Sequence, residues 1–345
     1  MTHRLFLFAA FTACLSLGTP GGASAAAGTK LVNGAGATFP YPLYSKWFSE
    51  FNKTNPLIEI NYQSIGSGGG IKQLLAKTVQ FGASDAPMSD AELKSAPAPV
   101  VHLPMVLGAV AITYNLPEAK APLKLSADVL ADIFLGAIKK WNDPRLSELN
   151  PGVALPAQDI AVVARADSSG TTYVFTDYLG KVSSKWKSQV GVNKTIKWPV
   201  GLASMGNDGV TGQLKNTPGS IGYVELVYAV TQKLPVAELK NRAGTYVAPS
   251  VKSVTEAAAG SMNAMPADYR VSITDAAGAG AYPISAFTYI LFYKSMDKDL
   301  GAPLVQFLNW AMVEGQKTAP GMSYAPLPAS MVAKVKATIK GLEIK

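Results

Sequence analysis

The chain has 345 residues, 48% of them hydrophobic and 16% charged, with a formal net charge of +8. This length exceeds what one hydrophobic core usually serves, so two domains are expected, and the apolar content excludes a disordered or fibrous chain. The basic surplus contains no long block of like charge and no basic stripe interleaved with aromatics, which argues against a nucleic-acid partner and leaves small anions or solvated lysines as its meaning.

The first residues carry His3 and Arg4, then an apolar run from Leu5 to Leu17, then small residues ending in Ala23-Ser24-Ala25-Ala26. That is the order of a secretory signal peptide, with cleavage expected after Ala25 and a periplasmic location for the rest. Cys14 is the only cysteine and falls within this segment, so the mature chain is expected to form no disulfide and no thiolate metal site. Lipid anchoring at Cys14 is a minor alternative, disfavoured by the short apolar stretch before it.

After the signal, strand-like and helix-like segments alternate. The pattern predicts a helix after Pro40, with Leu43, Trp47 and Phe51 on one face, a strand at Leu57–Tyr62, a helix at Gly70–Thr78, a short strand at Val79–Ala83 and a longer one at Met105–Tyr114. Further on it predicts a helix at Ser126–Leu135, a strand at Ile160–Arg165, a helix at Gly170–Leu179 and a strand at Ile221–Glu225. A strand at Ile284–Tyr293 and helices at Leu300–Val313 and Pro328–Ile339 complete the chain. Such alternation points to βαβ units and parallel sheets in two α/β lobes.

Without Cys14 and His3, any histidine-based catalysis would run through His102, whose setting Val100-Val101-His102-Leu103-Pro104 reads as packed core, and a His/Cys zinc site is excluded by count. Three Gly/Ser/Thr-rich turns leading into helices carry the chemistry instead: Gly34-Ala35-Gly36-Ala37-Thr38-Phe39-Pro40, Ile65-Gly66-Ser67-Gly68-Gly69-Gly70, and Arg165-Ala166-Asp167-Ser168-Ser169-Gly170-Thr171-Thr172. A helix start presents free N–H groups and the positive end of the dipole, so short turns of this kind suit a small oxyanion. Taken singly each is more often a structural N-cap. None has the spacing of a nucleotide-binding loop. Asp85, in Phe81-Gly82-Ala83-Ser84-Asp85-Ala86-Pro87, adds an acceptor that suits a protonated anion such as phosphate and repels sulfate, although alone it reads as a turn residue before Pro87.

Together with Gly206-Asn207-Asp208-Gly209 and Ile221-Gly222-Tyr223-Val224-Glu225, these segments resemble the periplasmic phosphate-binding proteins of high-affinity phosphate ABC transporters over nearly the whole mature chain. The resemblance implies a type II periplasmic-binding-protein fold of two α/β lobes, each a mixed or parallel sheet flanked by helices, with two crossover strands at the hinge. After a signal peptide at 1–25, lobe I would comprise 26–107 plus 284–345 and lobe II 108–283. Phosphate would be held by Thr38, Phe39, Ser67, Arg165, Ser169, Gly170 and Thr171, with Asp85 accepting its proton and Asp167 orienting Arg165. The expected partners are inorganic phosphate and inner-membrane ABC permease subunits, for a monomer without cofactor, metal or enzymatic activity. Ser64 and Ser168 stand where the family often has glycine, and the region 234–282 resembles it least and has no assigned role. A secreted phosphatase, or a receptor for sulfate, molybdate or an organophosphate, are the competing readings.

Overall fold

The computed structural model describes residues 28–262 and 265–345. The expected signal peptide, its cleavage after Ala25 and Cys14 lie outside these residues. Eight strands form one continuous sheet: β1 (Lys30–Gly36), β2 (Ile58–Ser64), β3 (Phe81–Ser84), β4 (Val100–Asn115), β5 (Ala161–Arg165), β6 (Leu202–Ser204), β7 (Ser220–Glu225) and β8 (Ser285–Tyr293). Their order across the sheet is β2-β1-β3-β8-β4-β7-β5-β6. The helices that matter below are α1 (Tyr41–Thr54), α2 (Ser67–Leu75), α3 (Ala127–Phe134), α4 (Gly170–Val182), α5 (Gly206–Asn216), α6 (Val251–Ala259), α7 (Lys298–Trp310) and α8 (Ala329–Lys340).

The sheet has two halves that meet in β4. Residues Val100–Ala109 of this strand pair antiparallel with β8, and Val110–Asn115 pair antiparallel with β7. On one side β1 runs parallel to both β2 and β3; on the other β5 runs parallel to β6 and β7. β4 is buried along nearly its whole length, which is why it reads as a continuous apolar run without alternation. The expected boundary between 107 and 108 falls within this strand, next to its change of partner.

Two expectations from the sequence need correction. The strand expected at Met105–Tyr114 begins at Val100 and contains Pro104. The register shifts at this point, so that Thr288 faces Val106 and the next residue, Tyr289, faces Pro104. A proline has no N–H for the ladder and is tolerated inside a sheet where a bulge interrupts the pairing. The first glycine-rich segment is likewise not a turn over its full length, because Gly34, Ala35 and Gly36 complete β1. A side chain at Gly34 would collide with the ring of Phe81, and one at Gly36 with the backbone of Ala83.

The expected stripe of α1 is buried, with Tyr44 and Phe48 added to Leu43, Trp47 and Phe51. Phe48 and Phe51 pack on Phe307 of α7, which brings the carboxy-terminal helices back onto the amino-terminal half of the sheet. In the other half Phe175 of α4 stacks on Tyr223 of β7 and meets Phe134 of α3 edge-on. The region without an assigned role contributes α6 and a segment at 265–274 that touches both halves. Arg270 pairs with Asp90 at 2.7 Å and the Tyr269 hydroxyl meets that of Thr338, while Ser272 and Thr274 bond to Asp177 on α4.

Candidate functional site

The three turns singled out in the sequence converge where the two halves of the sheet face each other. Ser67 is the first residue of α2, Ser169 precedes α4, and Thr38 and Phe39 precede α1. Ser67, Ser169 and Thr171 have no exposed surface, and Thr38, Asp85 and Arg165 are 3% exposed. The start of α4 presses against the opposite half so closely that a side chain at Gly170 would collide with both Ser67 Oγ and Asp85 Oδ2. The Gly68 N–H donates to the Ser168 carbonyl at 2.9 Å, tying the starts of α2 and α4 together. Gly66, whose φ is +86°, has room for no side chain because Asp167 lies against it.

Arg165 ends β5 and is held as a fork. Its Nε and Nη2 donate to the two oxygens of Asp167, at 2.8 and 2.5 Å, and its Nη1 donates to Thr171 Oγ1 at 3.3 Å. Burial pushes the Asp167 carboxyl up, but the hydrogen bonds and charge of Arg165 outweigh it and hold the group below its ordinary range. Asp167 also accepts the Gly206 N–H at 3.1 Å, which fixes the start of α5. A planar guanidinium braced in this way presents a fixed positive face.

Asp85 follows β3 directly. Its Oδ1 accepts the Thr288 hydroxyl at 2.8 Å, and its N–H donates to Ser67 Oγ at 3.3 Å. Its Oδ2 is buried with no hydrogen-bond partner, a state shared among the described residues only by Tyr44 Oη and Glu225 Oε1. Burial raises the carboxyl to about 7, partly offset by Thr288 and by the charge of Arg165. A buried acceptor with nothing donating to it is costly, which sets Oδ2 apart from the satisfied polar atoms around it.

Ser169 is the N-cap of α4. Its Oγ accepts the Thr172 N–H at 3.1 Å as an N-cap, while its hydroxyl proton stays free to be donated. Ser67 differs from expectation: it does not cap α2, whose N-cap is Gly66, and its Oγ instead receives the Asp85 N–H. The helix also starts three residues earlier than the apolar stripe predicts. Gly68, Gly69 and Gly70 lie inside it, and Gly70 allows close approach to the backbone of Ala35 and Gly36.

Two participants escape the sequence reading of individual roles. Asn207, fully buried in the first turn of α5, donates through Nδ2 to Thr38 Oγ1 at 2.7 Å and to Thr171 Oγ1 at 3.2 Å. Its only signal was membership of Gly206-Asn207-Asp208-Gly209. Thr288 stands beside the bulge of β8, some 203 residues from the Asp85 it supports; bulges re-aim side chains in this way, and no local pattern marks it.

His102 is buried, and its Nε2 accepts the Met88 N–H at 3.0 Å. Burial depresses this group to about 4, so the imidazole is a neutral core acceptor. No cluster of three or more His, Cys, Asp or Glu side chains suited to a metal occurs among the described residues, and no helix among them is long and apolar enough to cross a membrane. A surface groove of about 850 Å³ lies beside Met88, Tyr173 and Arg270 rather than between Asp85 and Arg165. Its charges are already paired, Lys194 with Glu92 at 2.6 Å and Arg270 with Asp90 and Asp268 at 2.7 Å each.

Residues 22–314 match the family model described as a PBP superfamily domain. The phosphate-binding protein PstS of Pasteurella multocida is 43% identical over 342 residues, covering 99% of this chain and 96% of that protein. The PstS of Haemophilus influenzae is 44% identical over 311 residues, 90% of this chain and 92% of its own length. Among solved structures, the high-affinity periplasmic phosphate-binding protein PfluDING, determined with phosphate bound, superposes with a TM-score of 0.72 over 89% of this chain and 93% of that one, at 24% identity. That likeness establishes the fold, a two-lobed α/β architecture of the periplasmic-binding-protein kind.

Proposed function

Because the chain belongs to the PBP superfamily and, within it, to the PstS-type phosphate-binding proteins, we propose that it captures inorganic phosphate between its two halves and delivers it to the permease of an ABC transporter. Lobe I corresponds to 26–107 plus 284–345 and lobe II to 108–283, joined through β4 and the segment entering β8. The donors are the Thr38, Ser67, Ser169 and Thr171 hydroxyls, the backbone N–H groups of Phe39, Gly170 and Thr171 at helix starts, and the braced guanidinium of Arg165, with Asp167 as its brace. The protein acts as a binding protein, not an enzyme, and works as a periplasmic monomer after cleavage near Ala25.

One observation carries this reading: among the proposed ligand groups, Asp85 Oδ2 is a buried acceptor with no partner. A ring of donors alone would take sulfate as readily as phosphate. Near neutral pH phosphate keeps at least one proton to donate and sulfate keeps none, so a lone buried acceptor separates the two. The groups Arg165, Thr38 and Thr171 come from both halves of the sheet, so the site is complete only when the halves are closed.

The test is calorimetric titration of protein stripped of bound ligand, with phosphate and with sulfate. Tight phosphate binding and sulfate binding weaker by several orders of magnitude are expected; comparable affinities would remove the role of Asp85. The phosphatase reading predicts hydrolysis of a chromogenic phosphate ester, with or without added divalent metal, and none is expected.

A further inference from the structure

A hydroxyl group has one proton to give and two lone pairs with which to accept. Both lone pairs of Thr38 Oγ1 are occupied: it accepts the Asn207 backbone N–H at 3.1 Å and Asn207 Nδ2 at 2.7 Å. Both lone pairs of Thr171 Oγ1 are occupied as well, by Asn207 Nδ2 at 3.2 Å and Arg165 Nη1 at 3.3 Å. Each threonine is thereby left with a single unspent function, its proton.

The orientation of the Asn207 amide is itself determined. Its Oδ1 accepts the N–H of Glu225 at 3.0 Å, and only with the oxygen on that side does the NH₂ group face the two threonines. The turn bearing Asn207 is fixed from three directions. The Gly206 N–H is held by Asp167 at 3.1 Å, the Asn207 carbonyl accepts the Thr211 hydroxyl at 2.6 Å, and Gly206, with φ of +70°, adopts a conformation that other residues resist. Thr38 precedes α1 and Thr171 lies in α4, on opposite halves of the sheet, so one amide sets the hydroxyls of both.

We infer that Asn207 is a positioning residue that makes Thr38 and Thr171 obligate hydrogen-bond donors, and that it thereby commits these two positions of the site to unprotonated ligand oxygens. This rests on the phosphate reading above and extends it. Asp85 Oδ2 is then the buried carboxylate acceptor for a ligand proton, and the ligand oxygens facing Thr38 and Thr171 are admitted only bare. Rotors set in advance need no reorganisation when the anion enters, which is the structural meaning of a preorganised site.

The discriminating substitution is Asn207→Asp. It keeps the shape and the acceptor for Glu225 N–H, but replaces the NH₂ group with an oxygen that draws the Thr38 and Thr171 protons towards itself. With inorganic phosphate as the probe, Asn207→Asp is expected to weaken binding at least ~100-fold at pH 8. The ratio of variant to native Kd should shrink by about tenfold or more as pH falls to 5, because a protonated carboxyl donates again. Asn207→Ala, which frees the rotors without reversing them, should weaken binding roughly tenfold, with a ratio nearly independent of pH. A double-mutant cycle with Thr38→Val separates positioning from general support: once the Thr38 hydroxyl is gone, either Asn207 substitution should cost markedly less. The cycle run with Asn207→Ala keeps the test available if the aspartate variant fails to fold.

Phosphate binding by Asn207→Asp within about threefold of native at pH 8 would overturn the inference. So would full additivity of the Asn207 and Thr38 substitutions. Failure of the native protein to bind phosphate would instead remove the underlying reading, so the two failures are distinguishable.

Discussion

Asp85→Asn is the sharpest perturbation of the proposed site. In the native protein Oδ1 is satisfied by Thr288 at 2.8 Å and Oδ2 by nothing, while Asp85 itself is 3% exposed. Sulfate placed against Oδ2 would set lone pair against lone pair in a place where water cannot intervene. Leaving a buried polar group unmatched costs ~1–3 kcal/mol, and more when charge is involved. The amide keeps an oxygen for Thr288 and puts an NH₂ group where Oδ2 was, so a bare sulfate oxygen meets a donor. The preference for phosphate over sulfate should therefore narrow by at least about tenfold, ~1.4 kcal/mol, chiefly through improved sulfate binding. Phosphate affinity should fall less, since its oxygens can accept from the amide. Side-by-side calorimetry of native and variant protein measures both arms, and unchanged exclusion of sulfate by the variant would refute the reasoning and return Asp85 to a role in its turn.

Arg165→Ala removes a charge-assisted donor while the helix-start N–H groups stay, and should cost ~1.5–3 kcal/mol of phosphate binding; a lowered melting midpoint with unchanged affinity would instead make Arg165 a strut between β5 and Asp167. Phosphate at a thousandfold excess over Kd should stabilise the ligand-free protein by ~4 kcal/mol, seen as a melting midpoint raised by several degrees, and equal midpoints would contradict the site. The ligand-free protein should also report Asp85 through pH. Burial raises its carboxyl from 3.8 to about 7, so between these values the folded state holds a proton that the unfolded state has lost. Stability should fall as pH rises through this window, by at most ~1.4 kcal/mol per pH unit for one proton. Because buried Glu225 is raised in the same direction, the difference between native and Asp85→Asn melting curves is the quantity to follow, and a difference constant from pH 4 to 7 would count against the assignment.

Much of this architecture is legible in the sequence where a single element carries its own signal. The apolar stripe Leu43, Trp47, Phe51 marks α1, and the Ser169-Gly170-Thr171 turn marks the start of α4, both with limits close to those seen. The signal fails where a tertiary neighbour decides. Gly34 and Gly36 read as turn residues, yet they belong to a strand whose lack of side chains is demanded by Phe81 and Ala83. Pro104 hides the first third of β4, because the bulge that tolerates it is a property of the pairing with β8. Asn207 and Thr288 show the same limit at the site. The residues they orient are 169 and 203 positions away in Thr38 and Asp85, and nothing adjacent to either announces the contact. The segment 265–274 is a further case, since its contacts with Asp90, Thr338 and Asp177 come from both halves of the molecule and no periodicity encodes them.

In the proposed site a ligand proton is received by Asp85 Oδ2 while the Thr38 and Thr171 hydroxyls donate. A neutron diffraction structure of the phosphate complex tests it most directly, because it locates the hydrogen atoms. A phosphate oxygen is expected about 2.5–2.7 Å from Asp85 Oδ2 with a hydrogen between them, and the Thr38 and Thr171 hydroxyl hydrogens directed at the anion. Phosphate bound with Asp85 Oδ2 facing none of its oxygens, or with either threonine accepting from the ligand, would contradict it.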